Sequence, residues 1–278
     1  MLFLLLAIFS SAAIAVIMRL SADRVRSNIT MLAANYLTCL LFAAGYAGFR
    51  LAPSIHPGFS FVAGLGSINC FLYLLGFVLL QYNTRKSGVV LSSVFMKLGL
   101  LVPIAASILL FGEMPTWLQG IGFLLAVGAI LLINYEKGAA ASGAKPALVL
   151  MLLCGGLGDA MSKVYEVWGQ PTLADQFLFY TFVSAFILCV ASALYKREAF
   201  EKDALIFGVL VGIPNFFSAK FLLLALTHLP AVIVYPTFSV ATVLVVTLGG
   251  VLLFEELLKA RQWVALGIIL ASLILLNI

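Results

Sequence analysis

Residues 109–119 read LLFGEMPTWLQ and residues 252–262 read LLFEELLKARQ. Each closes a long apolar run on a glutamate, turns, and is apolar again within a few residues. Laid on each other at a shift of 143, the stretches align Phe111 with Phe254, Glu113 with Glu256 and Gln119 with Gln262, and further on Asn134 with Asn277. The match continues outward in nearby registers. A shift of 144 puts Arg19 on Lys163 and Tyr36 on Tyr180, and 146 puts Gly66 on Gly212 and Asn69 on Asn215. The change of register predicts a small extra loop in the first copy at Thr84 to Lys86. One unit has been written twice.

The surroundings of the repeated phrase say where it lives. Of 278 residues, 64% are hydrophobic and 10% charged, with a mean hydropathy of +1.17, against roughly 25% charged in a soluble domain. Polar residues bunch between apolar runs that approach the ~20 residues a helix needs to cross a ~30 Å hydrocarbon core. Ten such runs emerge, near 2–20, 28–49, 58–81, 88–110, 116–134, 147–165, 175–195, 204–226, 231–253 and 260–277, placed by length and by polar or Pro/Gly punctuation. The ~10-residue alternation of a membrane barrel is missing. The connector YEKGAAASGAKP, 135–146, has linker composition and divides the runs five and five. Because five is odd, the second copy enters the membrane upside down, the inverted repeat of many transporters. The expected fold is an all-α integral membrane protein: ten transmembrane helices as two inverted five-helix repeats, 1–134 and 147–278.

The same composition excludes several functions. The net charge of +5 comes from sixteen Lys and Arg scattered in ones to threes, which form no basic stripe, so no nucleic-acid partner is expected. Cys39, Cys70, Cys154 and Cys189 lie singly in apolar runs without CxxC spacing, so they are read as packing groups, with no metal site and no cofactor. The opening MLFLLLAIFSSAAIAV lacks a charged n-region and outruns an h-region, which predicts a retained helix. His56 and His228 sit at run ends, and the GxSxG, HExxH and GxxxxGK[ST] patterns are missing. No catalytic residue is expected, and any transport would run on a gradient or by exchange instead of ATP.

The stretch LLFGEMPTWLQGIGFLLAVGAILLIN resembles the segment closing each half of the ten-helix drug/metabolite transporter superfamily, EamA-like branch: apolar helix, Gly-Glu, short turn, Gln, a further glycine, small-residue helix. LLFEELLKARQWVALGIILASLILLN is a second copy in which Glu255 replaces the glycine and Ala265 stands where Gly122 does. A proline these relatives often carry about thirteen residues before the Glu is displaced here, with Pro103 in one half and Pro236 in the other. The resemblance implies a permease and leaves the cargo open. It also implies cytoplasmic termini, whereas charge says the opposite. Twelve of the sixteen Lys and Arg fall in loops after odd-numbered runs, against Arg50 and Lys163 on the other side. By the positive-inside rule both termini face outward.

Polar groups inside the runs are the candidate site. A lysine at the centre of a membrane helix costs ~2.5 to 3.5 kcal/mol, so Lys97 in run four and Lys220 in run eight are read as lining a polar cavity between the halves. The alternative for either is a snorkelling or neutral lysine. Run six carries Gly155, Asp159, Lys163 and Glu166 on one helical face. Asp159 either pairs with Lys163 or faces water as a candidate for coupling to a proton or ion. Asn69 and Asn215 match under the duplication, and Asn35 joins Thr38 and Cys39 in a small polar face; these amides contact either cargo or neighbouring helices. Tyr36, Tyr180 and Tyr235 bring hydroxyls that need partners, and Trp117, Trp168 and Trp263 are interface anchors. Glu113 and Glu256 are read as structural. Gly99 with Pro103, Pro214 and Pro236 are candidate hinges.

Three deep or semi-deep lysines against one deep aspartate predict an anionic or amino-acid-like metabolite. The expected protein is a secondary transporter or exchanger of the plasma membrane, the inner membrane in a bacterium, in which a monomer suffices for a path. The alternative is a non-transporting polytopic protein, an intramembrane enzyme or a scaffold.

Overall fold

The structure, a computed structural model, describes residues 1–21, 24–48, 58–87, 89–133, 145–255 and 260–278. The described residues are helical: α1 (Leu2–Ser21), α2 (Asn28–Tyr46), α3 (Phe59–Ser87), α4 (Val89–Leu98), α5 (Leu101–Phe111), α6 (Trp117–Ile133), α7 (Lys145–Trp168), α8 (Ala174–Tyr195), α9 (Lys202–Leu226), α10 (Ala231–Phe254) and α11 (Ala260–Leu276), with a 3-10 turn at Pro171–Leu173. Seven helices are long and apolar enough to cross a membrane, and three apolar helical segments are shorter: Phe95–Phe111, which includes the junction of α4 and α5, Trp117–Leu132 and Ala260–Leu276. Leucines such as Leu109, Leu252 and Leu124 are largely exposed, as side chains facing hydrocarbon would be. Trp117, Trp168 and Trp263 are exposed near helix ends.

Two expectations are corrected. Thr84 to Lys86 lie inside α3, so the extra residues of the first copy lengthen a helix instead of a loop; nothing in NTRK forbids helical dihedrals. Run four is not one helix either: it breaks at Gly99 and Leu100. Pro103 has no N–H for the Gly99 carbonyl four residues back, and its ring presses on that carbonyl. The chain tightens in response. Gly99 N–H donates to Met96 O (3.2 Å), Leu100 N–H to Lys97 O (3.4 Å) and Val102 N–H to Gly99 O (3.0 Å), so the carbonyls around the break bond three residues ahead, as in a 3-10 turn. By contrast, α9 and α10 run unbroken through Pro214 and Pro236.

The chain forms two compact units that do not follow the sequence halves. The first comprises Met1–Leu74 and Val164–Ala225. In it α2 lies along α8, its counterpart under the duplication. Gly208 and Gly212, four apart on α9, bring that helix against α2: a Cβ at Gly208 would stand 2.5 Å from Ala34 Cβ, and one at Gly212 2.5 Å from Thr38 Cβ. This is the small-xxx-small packing by which membrane helices approach without a hydrophobic drive. Gly66 brings α3 near α8: a Cβ there would stand 2.9 Å from Tyr180 Cβ and 3.0 Å from the Phe177 carbonyl oxygen. Ser27 caps α2, accepting from Thr30 N–H at 3.2 Å while its hydroxyl donates to Glu198.

The second unit comprises Leu75–Lys163 and Leu226–Ile278. Here α6 lies along α11, again its duplicate. Gly122 would put a Cβ 3.0 Å from Leu275 Cβ, and Ser272 donates its hydroxyl to Gly122 O at 2.8 Å. The start of α6 is a reciprocal capping box: Gln119 N–H donates to Thr116 Oγ1 (3.2 Å) and Thr116 N–H to Gln119 Oε1 (3.0 Å). This T-x-x-Q is the physical content of half the repeated phrase.

Candidate functional site

In the second unit, polar groups gather at the helix break. Lys97 occupies the last turn of α4, half-buried, within electrostatic reach of Asp159 on α7. Tyr235 of α10, 2% exposed, donates its hydroxyl to the Asp159 backbone carbonyl at 2.7 Å. What brings α7 so close is Gly156: a Cβ there would stand 2.3 Å from Gly99 O and 2.6 Å from Val102 Cβ. Gly156 therefore serves close packing, whereas an added Cβ at Gly155 meets open space. Three expected site residues, Lys97, Asp159 and Tyr235, belong to this unit.

The other six belong to the first unit. Asn215 Nδ2 donates to Asn35 Oδ1 at 3.1 Å, and the Cys39 thiol lies 3.3 Å from Gly212 O and 3.7 Å from Asn35 Oδ1. The amide pair spans α2 and α9 one turn beyond the glycine contact, and an interhelical bond of this kind contributes about 0.6 to 2 kcal/mol. Tyr36 stacks on Phe182 with ring centroids 6.4 Å apart, and Tyr180 meets Phe59 edge-on at 5.7 Å. Asn69 is 2% exposed, and among the described residues its Oδ1 has no hydrogen-bond partner.

Lys220 stands apart from the amides. Its Nζ lies 2.9 Å from Asp175 Oδ1, in the first turn of α8, and 3.4 Å from the centroid of the Tyr46 ring, with Phe216 at 5.9 Å. The rings form a cluster: Phe216 is stacked with Phe42 (5.6 Å) and Tyr46 (5.5 Å), and Phe217 meets it edge-on. Beside them a cleft of about 420 Å³ is lined by Leu41, Phe42, Gly45 and Tyr46.

Two residues missing from the expectation, Asp175 and Tyr46, thus hold Lys220, and Glu113, read from the sequence as structural, holds Lys163. Lys163, 4% exposed, puts its ammonium 2.7 Å from Glu113 Oε1, while Glu113 Oε2 accepts the Ala231 N–H at 2.7 Å. Glu113 follows the left-handed Gly112 that ends α5, and Ala231 begins α10, whose N-cap Pro230 offers no side-chain cap. One carboxylate therefore joins the end of α5, the C-terminal part of α7 and the start of α10. Lys163 lies within α7, as Arg85 and Lys86 lie within α3. The charge tally changes, because each of Lys97, Lys163 and Lys220 has an acid near it. Asp175 sits at a run's edge in the sequence, where only the packing of α8 on α9 could make it a partner. Glu256, the counterpart of Glu113, lies outside the described residues.

Helices of this length and apolarity, in two copies of one repeat, define a multi-pass membrane protein. The family model of the EamA-like transporter family matches residues 1–135 and again 143–278. The chain belongs to that family, part of the drug/metabolite transporter superfamily, in its two-repeat form. A protein of Haemophilus influenzae, described only as uncharacterized, is 27% identical over 280 residues, covering 96% of this chain and 93% of its own. A solved crystal structure of a protein 13% identical shares the fold with a TM-score of 0.77, over 99% of this chain and 96% of the other.

Proposed function

We propose that the chain is a secondary transporter that moves a small, amino-acid-like metabolite across the plasma membrane by alternating access. The observation that carries this reading is the break between α4 and α5 with Lys97 beside it, Asp159 in reach and Tyr235 bonded to the Asp159 carbonyl. Discontinuous helices next to charged groups are where transporters of this repeat type bind cargo and coupling ions. Among the expected cargoes, the pairing of lysines with carboxylates favours one carrying both charges over a plain anion. In this reading the seven long and three shorter apolar helices make ten crossings, five per repeat, and Asp159 is the group through which a proton or ion is coupled. A monomer suffices, and both termini face outward, as the Lys and Arg distribution favours. The alternative of a scaffold gives no reason for charges at the break.

The test is counterflow of labelled amino acids and organic acids in proteoliposomes. Wild-type protein is expected to exchange at least one zwitterionic solute, and Lys97→Leu, monodisperse and helical, to lose about tenfold or more of that flux, the scale of one lost charged contact. No flux for any solute refutes the transport reading, and undiminished flux in Lys97→Leu removes the break from the site.

A further inference from the structure

We infer that Asp175, Tyr46 and Phe216 form a seat for an external primary ammonium ion, which the side chain of Lys220 occupies as a tethered stand-in. A carboxylate oxygen 2.9 Å from the nitrogen, one aromatic face 3.4 Å away and a second ring at 5.9 Å are the two kinds of group that recognise organic ammonium: a counter-charge and π faces. An ion pair that only ties α8 to α9 needs no ring from α2. The pair is also not sealed, since the side chains of Lys220 and Asp175 keep 18% and 26% of their exposure. Tyr46 is exposed and lines the neighbouring cleft with Leu41, Phe42 and Gly45.

The stand-in is under-satisfied. An ammonium has three N–H donors, and among the described residues one carboxylate oxygen receives a hydrogen bond from it. An incoming ammonium can therefore take Asp175 and the Tyr46 face while Lys220 swings into the cleft, where its charge meets solvent or the cargo's carboxylate. The end of α2, the start of α8 and the last turns of α9 meet here, so the seat lies near a mouth of the helix bundle, and the ammonium is met there on entry or exit. Naming that ammonium as the cargo's amine rests on the transport reading above; the seat itself does not. A free amine and the headgroup of an aminophospholipid share this chemistry.

The experiment titrates n-butylammonium, a lysine side chain without its backbone, into purified protein in phosphatidylglycerol nanodiscs by calorimetry. Lys220→Met is expected to bind the probe about tenfold more tightly than wild type, and Lys220→Met/Asp175→Asn to lose most of that gain, since the cation–π and charge contacts together are worth about that factor. Phosphatidylethanolamine in the nanodisc weakens probe binding if the headgroup is an occupant, and leaves it unchanged if free amines alone are; both support the seat. Equal binding by Lys220→Met and wild type, or a gain that survives Asp175→Asn, overturns it. Should Lys220→Met not yield monodisperse protein, Lys220→Gln decides: it also removes the tethered ammonium from Asp175 and the Tyr46 ring, so its affinity for the probe rises about tenfold, and affinity equal to that of wild type rejects the seat. Solute exchange in proteoliposomes separates this from the transport reading, because probe binding with no exchange refutes transport alone, and exchange without the gain refutes the seat alone.

Discussion

Removing the carboxylate of Glu113 should be among the costliest single changes outside the helix contacts, and removing its partner with it should restore most of the loss. Lys163 is 4% exposed, its ammonium 2.7 Å from Glu113 Oε1. Glu113→Gln removes the acid 2.7 Å from a buried ammonium, and breaking such a pair from one side costs about 3 to 5 kcal/mol. Glutamine keeps an oxygen for the Ala231 N–H, so this figure refers to the charge alone. Lys163→Met is expected to cost less, about 1 to 3 kcal/mol, because the carboxylate retains the backbone N–H and is more exposed. In the double variant Glu113→Gln/Lys163→Met neither charge remains and methionine fills the lysine's volume, so the loss should fall to within about 1 kcal/mol of wild type. The assay is built into the chain. Cys39, Cys70, Cys154 and Cys189 are all buried, and a thiol-reactive fluorophore reports their exposure on heating in detergent. A Glu113→Gln melting curve superposable on wild type would refute the buried-pair argument. So would a double variant as unstable as the two single losses added together, because the coupling between the residues would then be nil.

Other predictions follow from the same geometry. Gly156→Ala should destabilise by about 1 to 3 kcal/mol through overpacking, since its Cβ would fall 2.3 Å from Gly99 O, while Gly155→Ala, opening on free space, should melt as wild type does; equal effects would refute the contact. Pro103→Ala supplies an N–H for Gly99 O and removes the ring, so the thiol-dye melt should rise while counterflow falls; unchanged flux would show that the break is not used. Asn69→Leu relieves a buried unpaired oxygen worth about 1 to 3 kcal/mol, so a higher melting temperature is expected, and a lower one would mean that the amide has a partner. A reporter fused at Ile278 and active only in the cytoplasm should stay silent, and a strong signal would reverse the orientation.

The helices were legible because their ends are marked twice. Run length and the repeated LLFGEM/LLFEEL phrase placed most boundaries within a few residues of those observed, and Thr116 with Gln119 marks one start by side-chain chemistry. The break at Gly99 was legible only as a candidate, since Pro103, Pro214 and Pro236 look alike in sequence and just one of the three interrupts its helix. What separates Pro103 is the neighbour: Gly156 lets the α7 backbone press on the disturbed turn, a fact of packing that no local window contains. The charges were legible one at a time but not in pairs. Lys220 and Asp175 are 45 residues apart and Lys163 and Glu113 are 50, so a count of deep residues found the lysines and missed the acids.

The two ion pairs are alike in distance and opposite in use, and burial with donor satisfaction tells them apart. Around Lys163, side-chain exposures are 5% and 18%, and both oxygens of Glu113 are engaged, one by the ammonium and one by a helix N-terminus. Moving Glu113 would release the start of α10. Around Lys220, exposures are 18% and 26%, hydrogen-bond donors are to spare among the described residues, and a cleft adjoins. A pair that stabilises a fold gains from being closed and saturated, because desolvation has already been met and every remaining valence lowers the cost. A pair that exchanges partners has to remain open and unsaturated, since a ligand can displace only what is incompletely held. By that criterion Glu113 and Lys163 belong to the framework, and Asp175 with Lys220 to the proposed ammonium seat.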